Sequence, residues 1–375
     1  MAYITLNRNK LRDNYTFLNN IFKPQDISWA VVAKVLCGNK LYLNELIKMG
    51  AKQICDSRIS HLEEVKKLNP EVETIFIKPA AKRNAARVVA FADISFNTEY
   101  DTIRLLSEEA GKQGKVHRIV IMMELGELRE GVMRDQFVEF YSRVFKLPNI
   151  KVIGIGTNLT CMYGVLPNHD KLIQLSLYKQ LIEAKFNQKI PYLSGGASVT
   201  IPLIEQGLLP PDINHFRVGE TLFLGTDVYH NERVSDMHQD VFKLYAEVIE
   251  LNEKPAIPMG ELGQNLTGHT LNFDQSSPAR SSVRAIVDIG LLDVEEGHIK
   301  PADPDMHIVG ASSDMIVVDL GENERNLKVG SVIEFKMDYM GLLRVMSSAY
   351  VDKRFEFDPV AGYAATSAHK RVQLN

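Results

Sequence analysis

Residues 27–34, ISWAVVAK, end an apolar, β-branched run in a lysine, and a small-residue turn, VLCGN, follows. An amine at the end of a buried strand is partly desolvated, which favours its neutral form. A positioned neutral amine is a nucleophile that forms a Schiff base with a carbonyl group. A lysine that merely ends a strand and reaches solvent would be written the same way, so Lys34 gains weight only from its company. Two other stretches supply it. In SGGAS, Ser194 to Ser198, glycines let backbone N–H groups approach an anion, and Ser198 adds a hydroxyl where a helix can begin. In FRVGETLFLG, residues 216–225, Arg217 offers a cation and Gly219 a second close backbone approach. Each alone has a plain structural reading, a turn for SGGAS and an ion pair for Arg217. An amine, an anion cradle and a guanidinium together suit a phosphate borne on an aromatic heterocycle.

These groups need a frame that gathers the ends of distant strands. Strand-like runs occur at 27–34, 53–57, 73–78, 92–97, 118–125, 151–157, 190–195 and 215–220, and segments of helical period such as LYLNELIKMG and DKLIQLSLYKQLIEAKF lie between them. Eight strand and helix units in this order predict an α/β fold, a (β/α)8 TIM-type barrel over residues 1–235. An open doubly wound sheet fits the same order. In a barrel the site lies at the carboxyl ends of the strands, and phosphate sits most often on the loops after the seventh and eighth. Lys34 ends the first strand, SGGAS follows the seventh, and Arg217 lies in the eighth. Beyond residue 235 the texture changes to the strand-like runs VFKLYAEVIELN, SSVRAIVDIG, HIVGASSDMIVVDL and SVIEFKM, with almost no amphipathic helix. This predicts a second, mainly-β domain over 236–375, which the opening AYITLNRN can join as a strand.

The chain has 375 residues, 45% apolar and 24% charged, enough for two domains with real cores. A net charge of -4 and a pI near 6.2 give no electrostatic footprint for nucleic acid, so small-molecule partners are expected. Cys37, Cys55 and Cys161 form neither a disulfide framework nor a metal-spaced set, and His269, His298 and His307 make no ligand cluster. No signal-peptide core and no membrane-spanning run is seen, which points to a cytoplasmic protein without membrane contact. Internal repeats and low-complexity tracts are absent from the sequence.

Taken in order, AVVAKVLCGN, LGELREGV, GIGTNLTC, SGGAS and HFRVGETLFLG resemble the fold-type III pyridoxal-phosphate amino-acid racemases of the alanine racemase superfamily. More narrowly they resemble its alanine/ornithine racemase branch, over nearly the whole chain. The resemblance implies pyridoxal 5'-phosphate as cofactor. Lys34 matches the lysine that holds the cofactor covalently and shuttles the α-proton on one face of the substrate. Arg217 matches the arginine on the pyridine nitrogen, which keeps that nitrogen unprotonated and favours racemisation over decarboxylation or transamination. Ser198 with Gly196, and the backbone of Gly219 and Glu220, match phosphate contacts. Arg129 matches the arginine near the cofactor's phenolic oxygen, Asn158 stands where a histidine usually lies beside the ring, and Tyr350 resembles the tyrosine of the C-terminal segment that reaches the phosphate.

Three departures are visible. Gly38 replaces a phosphate-binding tyrosine four residues after the lysine. Leu291 stands where the family takes its second base, a tyrosine of the partner subunit, which leaves the opposite-face base unassigned. The run VGASSDM, which aligns with the family's run that lines the substrate mouth from the partner chain, brings Ser313 and Asp314, and the Asp314 carboxylate suits the distal ammonium of a basic substrate or stands as a solvated loop acid. The expectation is a racemase of ornithine or another basic amino acid, working by two-base proton exchange in a head-to-tail homodimer with shared sites. The alternatives are an alanine or broad-specificity racemase, a lyase of the same fold, and, in another class, a non-catalytic pyridoxal-phosphate carrier.

Overall fold

The structure is a computed structural model and describes residues 1–264, 268, 270 and 281–356. Its strands, in chain order, begin with Tyr3–Leu6 (β1), Ser28–Val32 (β2), Gln53–Asp56 (β3), Glu73–Phe76 (β4) and Ile94–Asn97 (β5). They continue with His117–Met122 (β6), Ile150–Gly156 (β7), Tyr192–Ser194 (β8), Gly196–Ala197 (β9) and His215–Val218 (β10). From β2 to β10 every neighbour pairs in parallel, in the spatial order β8, β7, β6, β5, β4, β3, β2, β10, β9. The strands β8 and β9 are one stave broken at Gly195, and β9 pairs with β10 (Phe216 with Gly196, Arg217 with Ala197). The sheet therefore returns on itself as a barrel. That closure excludes the open doubly wound sheet, and the eight runs expected from the sequence each fall on a stave.

The staves are continuous β-branched runs because parallel strands of a barrel are covered on both faces. Ala30, Cys55, Ile75, Ile94, Phe96, Val120, Met122 and Ile153 fill the interior. Outside lie helices Arg8–Phe22 (α1), Lys40–Lys48 (α2), Ile59–Leu68 (α3), Ala85–Phe91 (α4), Tyr100–Lys112 (α5), Phe137–Val144 (α6), His169–Phe186 (α7), Pro202–Glu205 (α8) and Glu220–Leu224 (α9). Side chains of Asn7, Asn39 and Asn168 cap α1, α2 and α7 by accepting the N–H three residues on.

After a small hairpin, Thr226–Asp227 (β11) with Glu232–Arg233 (β12), the chain enters antiparallel structure. Phe242–Pro255 (β13), Ser281–Val287 (β14), Ile299–Pro301 (β15), His307–Ala311 (β16), Ile316–Asp319 (β17) and Val332–Met337 (β18) line up in the order β15, β18, β13, β14, β17, β16. The N-terminal β1 belongs to this sheet: it runs antiparallel to β13 and parallel to the last strand, Asp352–Phe355 (β19). The Tyr42 hydroxyl on α2 donates to the Arg354 carbonyl at 2.7 Å and ties barrel to sheet.

Two details differ from the sequence reading. Residues 307–320, expected as one strand, fold into β16 and β17 around a turn in which Ser312 N–H donates to Met315 C=O at 2.8 Å. A helix, Tyr339–Ser347 (α10), follows β18, and the Asp338 carboxylate caps it by accepting from Gly341 N–H. A Cβ on Gly341 would lie 2.4 Å from the His298 carbonyl oxygen, so the glycine lets this helix press against its neighbour.

Candidate active site

β2 ends at Val32, and Lys34 lies two residues on, in a short 3-10 turn over Ala33–Leu36 at the mouth of the barrel. Cys37 and Gly38 then take φ of 49° and 72°, the left-handed region that reverses the chain. Helix α10 packs across this turn, and the half-buried Lys34 Nζ lies 5.7 Å from the centroid of the Tyr339 ring. Burial pushes the Tyr339 phenol upward, and the nearby Glu220 carboxylate adds to the shift. Burial also raises the Glu220 carboxyl, with Lys34 opposing and Asp338 reinforcing the change. An amine, a phenol and a carboxyl thus share one partly dry space.

Arg217 lies inside the barrel, 6% exposed. Its Nη1 donates to the Ser194 carbonyl at 3.0 Å and to the Ser194 hydroxyl, and its Nη2 donates to the Thr157 carbonyl at 2.8 Å. The guanidinium faces the Phe96 ring, 5.1 Å from its centroid. Behind it runs a buried chain: Ser194 Oγ meets His215 Nδ1 at 2.7 Å, and His215 Nε2 meets Gln53 Oε1 at 3.2 Å. Because Arg217 donates to Ser194 Oγ, the hydroxyl donates to Nδ1, and the imidazole donates onward from Nε2 as a neutral ring. Burial pushes His215 down to about 3, helped by the Arg217 charge, and burial likewise lowers Arg217 to about 10. Each donor in the chain fixes the next acceptor, so the guanidinium is held in one orientation.

The Ser198 hydroxyl is buried and receives the N–H of Gly219 and of Thr221, each at 3.4 Å. These long contacts bring two amides and a hydroxyl together where an anion's oxygens would make shorter ones. A Cβ on Gly219 would come within 3.0 Å of the Val32 carbonyl oxygen, so the glycine seats the cradle against β2. Gly196 answers a different need, for a Cβ there would fall 2.3 Å from the Phe216 ring. An amine, a hydroxyl with convergent amides and a buried guanidinium fit the aldehyde, phosphate and ring nitrogen of pyridoxal phosphate.

Arg129 and Asn158 stand on the loops after β6 and β7, at the same end of the barrel. Arg129 pairs with Glu130 and touches Cys161 Sγ; the Glu130 carboxylate raises the guanidinium further. The loop carrying Asn158 and Cys161 is organised by Glu127, which is 1% exposed. Its carboxylate accepts the N–H groups of Thr160 (3.1 Å), Cys161 (2.7 Å), Met162, Tyr163 (2.9 Å) and Val165 (3.1 Å). Burial alone would raise this carboxyl, and the amide donors overcome it and hold it down to about 2. They also hold Thr160, a β-branched residue, at a φ of 56°.

Lys34, Gly196, Ser198, Arg217, Gly219 and Glu220 therefore gather at one mouth. Tyr350 follows α10 and is 74% exposed, while the Tyr339 ring at the start of that helix faces Lys34. Ser313 and Asp314 are exposed on the β16–β17 turn, where Ser313 Oγ donates to Asp314 Oδ2 at 2.7 Å. Leu291 packs beside them, its N–H bonded to Ser312 C=O at 2.9 Å, and its apolar side chain carries no proton to exchange. His298 pairs with Asp338 at 2.8 Å and His307 lies 3.9 Å from Asp319, while His269 lies outside the described residues. Glu127 and Tyr339 escaped the sequence reading; a tyrosine two residues beyond the run SVIEFKM was the available sign of the second.

Residues 6–227 match the alanine racemase N-terminal domain. The chain is 37% identical to an ornithine racemase of Acetoanaerobium sticklandii over 93% of its length and 98% of the relative's. It is 29% identical to a lysine racemase of Thermotoga maritima over 94% and 98%. Its fold superposes on an alanine racemase of Streptomyces coelicolor with a TM-score of 0.72 at 14% identity, covering 94% of this chain and 97% of the other. With its barrel, the lysine just past its first stave and a match through most of its length, the chain belongs to the alanine racemase family.

Proposed function

We propose that this chain is a pyridoxal-phosphate-dependent racemase of ornithine or a similar basic amino acid, acting as a cytoplasmic homodimer. The observation that carries the substrate class is full-length similarity to two relatives that both bear the name of a basic amino acid. The mouth geometry carries the cofactor. Bound there, pyridoxal phosphate supplies an aldehyde to hold the amino acid and a ring that withdraws electrons from its Cα. Lys34 would hold the cofactor's aldehyde and move the α-proton on its own face of the substrate. Ser198 and the amides of Gly219 and Glu220 grip the phosphate, which fixes the ring against sliding. Arg217, locked by Ser194 and Thr157, would donate to the ring nitrogen and hold it unprotonated, which would keep electron withdrawal moderate and favour racemisation over side reactions. Tyr339 and α10 cover Lys34 on one side.

The domain division at residue 235 and the pairing of two copies belong to the same proposal. Leu128, Met162 and Tyr163 stand 65%, 52% and 68% exposed around the mouth, and Leu292 and Met315 stand 69% and 39% exposed on the turns beside Asp314. Apolar rims of this kind mark an association surface. A head-to-tail dimer brings Ser313 and Asp314 of one copy over the mouth of the other, where the carboxylate meets the side-chain ammonium of the substrate.

The test is to incubate the cofactor-loaded protein with single enantiomers of ornithine, lysine and alanine and separate the products on a chiral column. Ornithine or lysine should racemise with kcat/KM at least tenfold above alanine. Turnover of alanine at equal or greater efficiency would overturn the substrate class, and a cleaved or deaminated product in place of the opposite enantiomer would overturn the reaction.

A further inference from the structure

Gly38 leaves a question open, since it stands where the family resemblance puts a phosphate-binding tyrosine. The glycine has a φ of 72°, and a Cβ built on it would lie 2.6 Å from Cδ2 of His61, 3.1 Å from Cγ and 3.3 Å from Nε2. The imidazole therefore occupies the space that a side chain at position 38 would enter, and the two exclude each other. His61 comes from the first turn of α3 and reaches over the lysine-bearing loop. Its Nδ1 lies 3.1 Å from both carboxylate oxygens of Asp56, the last residue of β3. Asp56 is 1% exposed and also accepts the Arg58 N–H at 2.7 Å, so it is itself fixed. Nε2 has no hydrogen-bond partner among the described residues, and the side chain keeps 21% of its surface open.

We propose that His61 supplies the phosphate contact that Gly38 cannot, with Nε2–H donating to a phosphate oxygen of the cofactor and Asp56 orienting the ring. The proposal rests on pyridoxal phosphate being the cofactor. Two further features put the dyad at the same end of the barrel as the cradle. β2 pairs with β10, which leads into Gly219, on one side and with β3, which ends in Asp56, on the other, so cradle and dyad flank the same lysine turn. The Tyr339 phenol over that turn lies within the electrostatic reach of Glu220 on the first side and of Asp56 on the second. The chemistry is self-consistent. With Asp56 accepting from Nδ1, a ring that also donates from Nε2 carries both protons, and the carboxylate and the phosphate share its charge. A tyrosine at position 38 would donate from the lysine turn itself; His61 donates from α3 with its ring held by the buried Asp56 carboxylate at the end of a barrel stave.

The experiment compares pyridoxal phosphate with pyridoxal, which has the same ring and aldehyde and no phosphate. Cofactor-free wild type and His61→Ala are titrated with each, following the absorbance of the cofactor bound to lysine. His61→Ala should weaken pyridoxal phosphate at least tenfold, the cost of one charge-assisted hydrogen bond, and leave pyridoxal within about twofold. His61→Gln, which keeps a donor, should recover part of the loss. Unchanged affinity for pyridoxal phosphate, or equal weakening of both compounds, overturns the proposal. A measurement on wild type alone guards against misfolding of the variants: with ¹⁵N-labelled histidine, the His61 Nε2 resonance should move on adding pyridoxal phosphate and not on adding pyridoxal. A resonance that ignores both overturns the role of His61 while leaving the cofactor assignment intact, whereas a wild type that binds neither compound at Lys34 overturns the cofactor assignment itself.

Discussion

Arg217 carries a full charge among neutral acceptors, and the hydrogen-bonded chain behind it makes that tolerable. Ser194, His215 and Gln53 each donate forward and accept from behind, so a neutral His215 is a structural requirement. Its folded value of about 3 lies below the ordinary 6.5, so between these two the unfolded chain binds a proton that the folded one does not. Stability is then complete above about pH 6.5 and falls as pH drops toward 3. Chemical denaturation of the wild type should show this decline, and His215→Asn should flatten it while lowering stability at neutral pH by about 1–3 kcal/mol, the cost of stranding a buried acceptor. A variant that keeps the full slope would mean that other groups carry the acid sensitivity. None of this chain was legible in the sequence, where Gln53, Ser194 and His215 stand far apart and only closure of the barrel makes them neighbours.

At the scale of elements, legibility followed the source of each element's stability. Barrel staves were readable because burial on both faces demands unbroken apolar, β-branched runs, and Lys34 was readable because an amine interrupts such a run. Helix α10 was not, since it spans nine residues, includes Gly341, and owes its place to the Asp338 cap and to packing on the lysine turn. Missing it left Tyr339, which faces Lys34, out of the sequence reading. The Glu127 cage was invisible for another reason: its donors are backbone amides, which any sequence has. Glu127 sits at about 2 against an ordinary 4.5, so its contribution is present above about pH 4.5 and is lost as pH falls toward 2. Glu127→Ala leaves all five amides without their acceptor. Hydrogen exchange at Cys161, Met162 and Tyr163 should accelerate at least tenfold at pH 7, with kcat/KM reduced as Arg129 and Asn158 lose their support. Unchanged protection of these amides would show that the loop is ordered without the carboxylate.

At the scale of the molecule, the residues proposed to hold the cofactor lie on the barrel, whereas those proposed to choose the substrate lie on the far sheet, exposed in a single copy. That division makes Asp314 the sharpest probe of the shared site. A charge pair buried by the partner costs roughly 2 to 5 kcal/mol when one side is removed, and an exposed pair at most about 1 kcal/mol. Asp314→Asn should therefore lower kcat/KM for ornithine at least tenfold, about 1.4 kcal/mol, and barely alter turnover of alanine; equal loss on both would place the residue in proton transfer instead. The most direct test of the account as a whole is racemisation of L-ornithine in D₂O, with mass and chirality of each species followed through the first turnovers. If Lys34 removes the α-proton on one face and a separate group returns one on the other, the D-ornithine formed carries a single solvent deuterium at Cα, and Lys34→Ala forms none. D-ornithine that retains its original proton, or that still forms in Lys34→Ala, would contradict the account.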